Sequence, residues 1–158
     1  MGDKRPDISV YTAATQNGWK PLIFLEEAGI EYKLVYIDFD KREQKSEWFL
    51  KINPNGRIPA IVDHSNGDYI VMESNAILMY LADKYKKFLP EDPKLKWDAT
   101  QWLFFQTGGV GPIMGQAMYF QRIAALNGHN DEFAIRRYVD ESRRLLEVLN
   151  KHLENRTW

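Results

Sequence analysis

The sequence predicts an α/β domain with the element order β-α-β-α-β-β-α, followed by an all-helical domain. Three observations carry this prediction. A strand, a helix and a second strand fill the beginning of the chain, and two further strands separated by a short turn follow. In the last part of the chain the apolar residues recur at helical spacing, without the β-branched runs that indicate strands.

The first strand–helix–strand unit begins at a short β-prone run over residues 8–11, which passes into polar residues as far as Gly18. The apolar spacing predicts a helix that opens at Leu22 and closes at Gly29. Residues 32–38 form a second run of β-branched and aromatic residues. A helix between two strands favours their parallel pairing.

The rest of the α/β domain contains a short helical segment around residues 46–52 and the turn Asn53-Pro54-Asn55-Gly56. A strand over residues 58–63 and a strand over residues 69–72 lie so close in sequence that they should form an antiparallel hairpin. A helix over residues 74–85 completes the domain. This order of elements is that of a thioredoxin-like domain.

A polar segment with two prolines, residues 87–92, predicts a linker between two domains. The first domain then covers residues 1–86 and the second covers residues 93–158. The second domain should be helical over residues 95–107 and 131–155. Between these helices, Gly108-Gly109-Val110-Gly111-Pro112 should kink or interrupt the first one.

Composition excludes several classes of function. The formal net charge is −1 and the Lys and Arg residues are scattered, so no basic surface for nucleic acid is indicated. The chain has no cysteine, which excludes disulfides, Cys-based zinc sites and a cysteine nucleophile of its own. Any thiol chemistry must therefore use a thiol from solution.

Location and metal binding are predicted from what the sequence lacks. The N-terminus has no apolar signal region and no run of about 18 apolar residues occurs, so a cytoplasmic protein without a membrane partner is expected. The histidines His64, His129 and His152 lack the spacing of metal ligands and are interpreted as surface or loop residues. No metal site is predicted.

Thr15 and Asn17 are the first candidates for chemistry, because ligands bind past the carboxyl ends of parallel strands. A hydroxyl and an amide that both donate to one sulfur would favour thiolate over thiol. Lowering a thiol pKa from about 8.5 to near 7 takes roughly 2 kcal/mol, and hydrogen bonds to a charged group contribute about 1.5 to 3 kcal/mol each. The alternative is that the Asn17-Gly18 pair only shapes a turn.

Glu73 and Ser74 lie at a strand–helix junction, where Ser74 can act as N-cap and the helix amides can bind an anion. With Glu73 for an ammonium, the pair would match the α-amino-acid end of a γ-glutamyl group; the alternative is a plain capping serine. The Ile58-Pro59 bond is trans by default, but a cis bond would free the Ile58 backbone to pair with an extended peptide ligand.

These residues belong to four recognisable segments: Thr15-Gln16-Asn17-Gly18, Asn53-Pro54-Asn55-Gly56-Arg57-Ile58-Pro59-Ala60, Glu73-Ser74-Asn75-Ala76-Ile77-Leu78 and Gln101-Trp102-Leu103-Phe104-Phe105-Gln106. Together they resemble the glutathione S-transferase family. The resemblance runs from about residue 8 to the end. It is strongest to the subgroup of bacterial disulfide-bond reductases and the yeast nitrogen-regulation prion protein.

The resemblance implies roles for particular residues. Thr15 and Asn17 would contact the glutathione sulfur, and Ile58 with a cis Pro59 would pair with the cysteinyl backbone. Glu73 and Ser74 would hold the γ-glutamyl end. Gln44 matches a position near the glycyl carboxylate, and Arg137 matches an arginine of the helical domain that faces bound glutathione. Tyr11 lies inside the first strand and is interpreted as core rather than as a catalytic tyrosine.

The leading functional hypothesis is an enzyme that uses glutathione as cosubstrate and directs its thiolate at a small disulfide, peroxide or electrophile. The alternative is a non-catalytic protein of the same fold that acts through protein contacts. The resemblance also implies a homodimer. Members of the family continue beyond the position of Trp158 through a buried capping-box helix, so the helical domain is expected to be incomplete.

Overall fold

The computed structural model describes residues 6–156. The chain divides into two compact units between Asp92 and Pro93. In chain order, the main elements of the first unit are β1 (Ile8–Thr12), α1 (Gln16–Ala28), β2 (Tyr32–Tyr36), α2 (Glu47–Leu50), β3 (Ala60–Asp63), β4 (Tyr69–Met72) and α3 (Ser74–Tyr85). This order confirms the predicted β-α-β-α-β-β-α arrangement.

The four strands form one mixed sheet in the spatial order β2-β1-β3-β4. β1 pairs with β2 in parallel, with Val10 opposite Leu34. β3 runs antiparallel to both of its neighbours, with Ile61 opposite Val10 on one side and opposite Val71 on the other. The predicted parallel pair and the predicted hairpin are both confirmed.

The core of the first unit lies between the sheet and the helices α1 and α3. Alternation along β1 turns Ile8 and Val10 into this core, where both are fully buried. On the other side of the sheet the Tyr11 ring lies 6.3 Å from the ring of Trp48 in α2. Tyr11 is therefore partly buried in packing, as the sequence indicates.

Helix α1 begins at Gln16, well before the predicted start at Leu22. The sequence predicts a loop as far as Gly18, but two local contacts explain why the segment from Gln16 is helical. Thr15 is the N-cap, and its Oγ1 accepts the Gly18 N–H at 3.1 Å. A Cβ at position 18 would overlap the carbonyl oxygen of Ala13 and lie 2.5 Å from Thr12 Oγ1, so the close approach of this loop requires glycine.

The second unit is helical throughout its regular elements, which confirms the predicted fold class. It contains α4 (Pro93–Phe105), α5 (Gly111–Met118) and α6 (Glu132–Leu153). Wider, π-helical turns over Gln106–Val110 and Tyr119–Ala124 follow α4 and α5.

The glycine-rich segment after α4 does not interrupt the helix. Phe105 and Gly111, on either side of the first wide turn, both keep right-handed helical dihedrals. Pro112 has no N–H to donate, and a wider turn accommodates the missing hydrogen bond without ending the helix. Gly109 faces α6, where an added Cβ would lie 3.3 Å from Leu145 Cδ2. Gly109 thus allows this segment to pack closely against α6.

Residues 87–92, the predicted linker, contribute two side chains to the first unit. The Phe88 ring meets the Phe24 ring edge-on at 5.0 Å, and Leu89 packs against the buried core. Across residues 6–156, no helix has both the length and the apolar character needed to cross a membrane.

Candidate functional site

Most of the predicted site residues lie at one end of the strands, where β1 and β4 end and β3 begins; we call this end the sheet edge. Since β3 runs antiparallel to β1 and β4, the start of β3 lies beside the ends of both neighbours, with Ala60 opposite Tyr11 and Met72. Adjacent strands are about 4.8 Å apart, so three chain segments meet across about 10 Å. The predicted residues on these segments are Thr15 after β1, Ile58 and Pro59 before β3, and Glu73 and Ser74 after β4.

Thr15 and Asn17 lie at the start of α1 rather than in a turn. Thr15 is extended, with φ of −136°, and its hydroxyl oxygen accepts the Gly18 N–H. A hydroxyl that accepts through oxygen still has its own hydrogen to donate. The capping role and the proposed donor role are therefore compatible. Asn17 is exposed in the first turn of α1, and its amide has two further donors.

The turn before β3 is fixed by Asn53, which is 2% exposed. Its Nδ2 donates to the carbonyl of Arg57 at 2.6 Å, and its Oδ1 accepts the Asn55 N–H at 3.0 Å. The Ile58–Pro59 peptide bond that follows is cis, which is the isomer that the resemblance implies. The default trans assignment is therefore wrong for this bond.

The junction between β4 and α3 differs from the predicted one. Glu73, not Ser74, occupies the N-cap position, and Ser74 is the first residue of α3. Glu73 has φ of 69° and ψ of 117°, an uncommon conformation for a residue with a side chain, and its carboxylate makes no capping bond. The predicted capping role of Ser74 is thus wrong, since Ser74 lies within α3 and its Oγ accepts a hydrogen bond from Lys20 Nζ.

Lys20 contacts this junction and is not among the site residues that the sequence predicts. Its Nζ donates to Ser74 Oγ at 3.1 Å, which joins α1 to the start of α3. Burial lowers the pKa of Lys20, and the nearby Glu73 carboxylate opposes this shift. The sequence does not indicate this contact, because Lys20 precedes the predicted start of α1. In the observed helix Lys20 lies one turn after Gln16.

Gln44 lies in a short 3₁₀ turn, Glu43–Lys45, after β2. Its carbonyl packs beside the Asn53–Gly56 turn, where a Cβ at Gly56 would lie 2.8 Å from Gln44 O. The side-chain Oε1 of Gln44 is buried and has no hydrogen-bond partner among the described residues. Gln44 is thus adjacent to the segment that leads to Ile58.

Arg137 belongs to the second unit, so the sheet edge is formed without it. It is exposed on α6 and lines a shallow surface concavity of about 400 Å³. The lining residues are Phe133, Arg136, Arg137, Asp140, Glu141 and Arg144. Its predicted contact with glutathione stays a prediction.

A Ser–His–Asp arrangement lies at the opposite edge of the sheet. Ser9 Oγ is 2.8 Å from His64 Nε2, and His64 Nδ1 makes a short contact with the Asp68 carboxylate. Ser9 is only 1% exposed, so no substrate can reach its hydroxyl. These residues instead fasten β1 to the turn between β3 and β4. His64 lies in that turn, as predicted, but its side chain is largely buried.

No group of three or more His, Asp or Glu residues within positions 6–156 is arranged to hold a metal ion. The described site offers two donors after β1, Thr15 and Asn17. After β4 it offers the Glu73 carboxylate and the Ser74 hydroxyl, which is paired with the Lys20 ammonium. Such a set can bind a zwitterionic ligand and stabilise a negative charge on it.

Comparison with known proteins bears on this site. The model of the glutathione S-transferase N-terminal domain matches residues 6–83, the part of the chain that contains the sheet edge. The disulfide-bond oxidoreductase YfcG of Escherichia coli K12 is 45% identical over 155 residues, which cover 96% of this chain and 71% of YfcG.

Two solved structures resemble the whole chain. A glutathione transferase from Pseudomonas putida, with one glutathione disulfide bound per subunit, has a TM-score of 0.93 and 39% identity, covering 99% of this chain and 69% of its own. A family member from Pseudomonas fluorescens, with two glutathione molecules bound, has a TM-score of 0.92 and 41% identity, covering 99% and 70%. The chain thus spans about seven tenths of the length of each of these proteins.

Proposed function

Because this chain belongs to the glutathione S-transferase family, we propose that it is an enzyme that uses glutathione as cosubstrate to reduce or modify small molecules. The observation that carries the proposal is the sheet edge, where Thr15 and Asn17 follow β1, Glu73 and Ser74 follow β4, and the start of β3 lies between the two segments. One ligand that presents a thiol and a γ-glutamyl group can use both segments.

Each end of glutathione has a proposed partner at this edge. Glu73 binds the α-ammonium and Ser74 binds the α-carboxylate of the γ-glutamyl group. Ile58 and Pro59 pair with the cysteinyl backbone in an extended arrangement. Gln44 remains the predicted contact of the glycyl carboxylate, and Arg137 remains the predicted contact from the second unit. If Gln44→Ala or Arg137→Ala leaves the Kd of glutathione unchanged, the predicted contact of that residue is wrong.

The chemistry proceeds from a stabilised thiolate. Hydrogen bonds from Thr15 and Asn17 hold the charged sulfur, which attacks one sulfur of a disulfide. A glutathione–substrate mixed disulfide forms as the first thiolate leaves. A second glutathione then attacks this intermediate, giving glutathione disulfide and the second thiol. The same thiolate can attack a peroxide or an electrophilic carbon, and no cysteine of the chain is required.

YfcG is named as a disulfide-bond oxidoreductase, and the two Pseudomonas structures hold glutathione disulfide or two glutathione molecules. These ligands are the product and the reactants of disulfide reduction by glutathione. They favour a disulfide over an electrophile as second substrate of this chain.

The proposal is tested by titrating reduced and oxidised glutathione into the chain in a calorimeter and assaying disulfide reduction on the same sample. We expect the wild type to bind glutathione and turn over, and a Thr15→Ala, Asn17→Ala double variant to lose at least tenfold in rate, since each bond to a charged sulfur contributes about 1.5 to 3 kcal/mol. Asn130→Ala, an exposed asparagine outside the site, is the matched control. Full turnover by the double variant would refute the mechanism.

A non-catalytic role is the second candidate, favoured by the capping bond that Thr15 already makes within α1. A protein that used Thr15 only to shape the loop would bind glutathione without turnover. Lack of turnover across disulfide, peroxide and aryl-halide substrates, with glutathione bound, would support this role and contradict the enzyme.

A homodimer is also proposed. β4 is an edge strand of the sheet, and it carries the exposed apolar side chains Tyr69, Ile70 and Met72. Exposed apolar side chains that cluster on a sheet edge favour an interface. Light scattering should give twice the chain mass for the wild type and the chain mass for Ile70→Lys; a monomeric wild type would contradict this proposal.

We place the protein in the cytoplasm, because the reaction consumes reduced glutathione and the cytosol holds the glutathione pool at a reducing potential. Fractionation of source cells tests this location. Recovery of the protein in a compartment that keeps glutathione oxidised would contradict it.

A further inference from the structure

Lys20 connects the two helices that flank the site. It lies on α1, is half-buried, and donates from Nζ to Ser74 Oγ at 3.1 Å. The contact spans two elements that are far apart in sequence. A lysine on a helix surface ordinarily extends into solvent, since its ammonium is strongly hydrated. Here the ammonium is instead directed to the first residue of α3.

The contact determines what the Ser74 hydroxyl can do. Because Lys20 donates to the Ser74 oxygen, the hydroxyl hydrogen must point elsewhere and can donate to a ligand. The oxygen is polarised by the ammonium, which makes the O–H a stronger donor. A carboxylate that accepts this hydrogen also lies close to the positive charge of Lys20.

Glu73 supplies a negative charge near the Lys20–Ser74 pair. Its carboxylate is near enough to Lys20 to stabilise the ammonium, although burial has the larger effect on the pKa of Lys20. Glu73 and Lys20 thus present opposite charges beside Ser74. An α-amino-acid group would direct its ammonium toward Glu73 and its carboxylate toward Ser74 and Lys20.

We propose that Lys20 is a positioning residue that makes this site selective for thiols carrying the γ-glutamyl α-carboxylate. It acts through Ser74, whose hydroxyl it orients, and through its own charge. The proposal rests on the proposed glutathione site and adds a residue to it. Thiols that lack this carboxylate gain nothing from Lys20 and are disfavoured relative to glutathione.

Three probes separate the groups of the ligand. Glutathione carries both charged groups, glutaryl-cysteinylglycine keeps the carboxylate and lacks the amine, and 4-aminobutyryl-cysteinylglycine keeps the amine and lacks the carboxylate. Calorimetry should measure the Kd of each probe for the wild type, Lys20→Met and Lys20→Arg. Lys87→Met is the matched control, since Lys87 also makes a long-range contact, from Nζ to the carbonyl of Ala28 at 3.0 Å.

In Lys20→Met we expect the Kd of glutathione and of the glutaryl probe to rise at least tenfold, the equivalent of about 1.4 kcal/mol, while the Kd of the aminobutyryl probe changes little. Lys20→Arg should restore the wild-type values to within about threefold, because it keeps the charge and the donors. Lys87→Met should leave all three unchanged. Thermal unfolding of each variant checks that the fold is intact.

Two results would overturn the inference while glutathione binding stands. One is an equal loss of affinity for all three probes in Lys20→Met, which would make Lys20 a structural residue only. The other is a wild type that binds glutathione no better than the aminobutyryl probe, so that the site does not recognise the carboxylate. A wild type that binds none of the probes would overturn the proposed function, and the inference with it.

Discussion

The two units of the chain differ in how many of their large apolar side chains are buried. In the first unit the sheet and its helices enclose large side chains completely, among them Ile8, Leu25, Ile61 and Leu81, all at 0% exposure. In the described part of the second unit, Leu145 is the one large apolar side chain that is buried. Many others on its helices are exposed, including Leu95, Trp97, Phe104, Met114, Leu126, Phe133 and Leu146.

This difference shows where the free energy of folding is concentrated. A sheet covered by α1 and α3 supplies a closed core, and the proposed site lies at the edge of that sheet. Hydrophobic stabilisation scales with the apolar area removed from water. The first unit therefore provides the rigid support that a binding site needs, and its interior should be far more sensitive to substitution than the second unit.

The largest expected effect is the loss of a core leucine. Leu81→Ala in α3 should lower the free energy of unfolding by about 3 to 4 kcal/mol, through lost burial and the remaining cavity. Leu146→Ala in α6, where the side chain is 48% exposed, should change it by about 0.5 kcal/mol or less. Urea unfolding of both variants checks the comparison, and equal losses would contradict the contrast between the units.

Removing an ion pair should also destabilise the first unit more than the second. In the first unit Lys84 Nζ lies 2.7 Å from Oδ2 of Asp63, whose side chain is fully buried. Lys84→Met leaves a buried carboxylate that, among residues 6–156, Tyr80 and Ser65 still hydrogen-bond, at an expected cost of about 3 kcal/mol. Arg144→Met, which removes an exposed pair with Glu141 in the second unit, should leave the free energy of unfolding nearly unchanged, because solvent screens such a pair.

Asp63 also predicts a dependence of stability on pH. Burial alone would raise the pKa of Asp63, but hydrogen bonds from Lys84, Tyr80 and Ser65 outweigh it and hold the pKa below its ordinary value. The carboxylate therefore stabilises the fold fully above about pH 4, and this stabilisation is lost as the pH falls through the folded-state pKa. The difference in unfolding free energy between wild type and Asp63→Asn should shrink in that acidic range. A difference that stays constant would show that the pKa is not lowered.

Two glycine-to-alanine substitutions should change the free energy of unfolding by less than the core and charge substitutions do, and with opposite signs in the two units. Gly18→Ala should lower the free energy of unfolding by about 2 kcal/mol, because its Cβ would overlap the Ala13 carbonyl oxygen and displace the loop that holds Thr15. Gly115→Ala in α5 meets no atom within 4 Å and should raise it by up to about 1 kcal/mol. A Gly18→Ala variant as stable as wild type would show that the loop is not constrained there.

Periodicity predicted most of the fold because each strand and helix has a clear apolar pattern. The helix over residues 74–85 and the hairpin of β3 and β4 agree with the structure. The errors fall where a local contact overrides residue preference. Gly18 reads as a turn residue until the cap at Thr15 and the packing on Ala13 are known. The glycines before Pro112 predict a kink or an interruption, and the interruption is absent because a wider helical turn accommodates them.

The site was predictable in part. The residue types at Thr15, Asn17, Glu73 and Ser74 follow from motifs. The βαβ unit and the hairpin predict two of the strand pairs, but neither determines the antiparallel pairing of β1 with β3 that brings the segments to one edge. Lys20 could not be found in this way, because its role depends on a contact between α1 and α3. The conformation of Glu73 was equally hidden, since sequence patterns predict a serine cap at such a junction.

The central claim, that Thr15 and Asn17 stabilise a bound thiolate, is tested most directly by titrating the sulfur of glutathione on the protein. The ultraviolet absorbance of the thiolate, followed against pH at saturating protein, gives the pKa of the bound thiol. We expect this pKa to fall below the ordinary thiol value of about 8.5 for the wild type and to return toward it in the Thr15→Ala, Asn17→Ala variant. An unshifted pKa on the wild type, or a shift that survives in the variant, would contradict the claim.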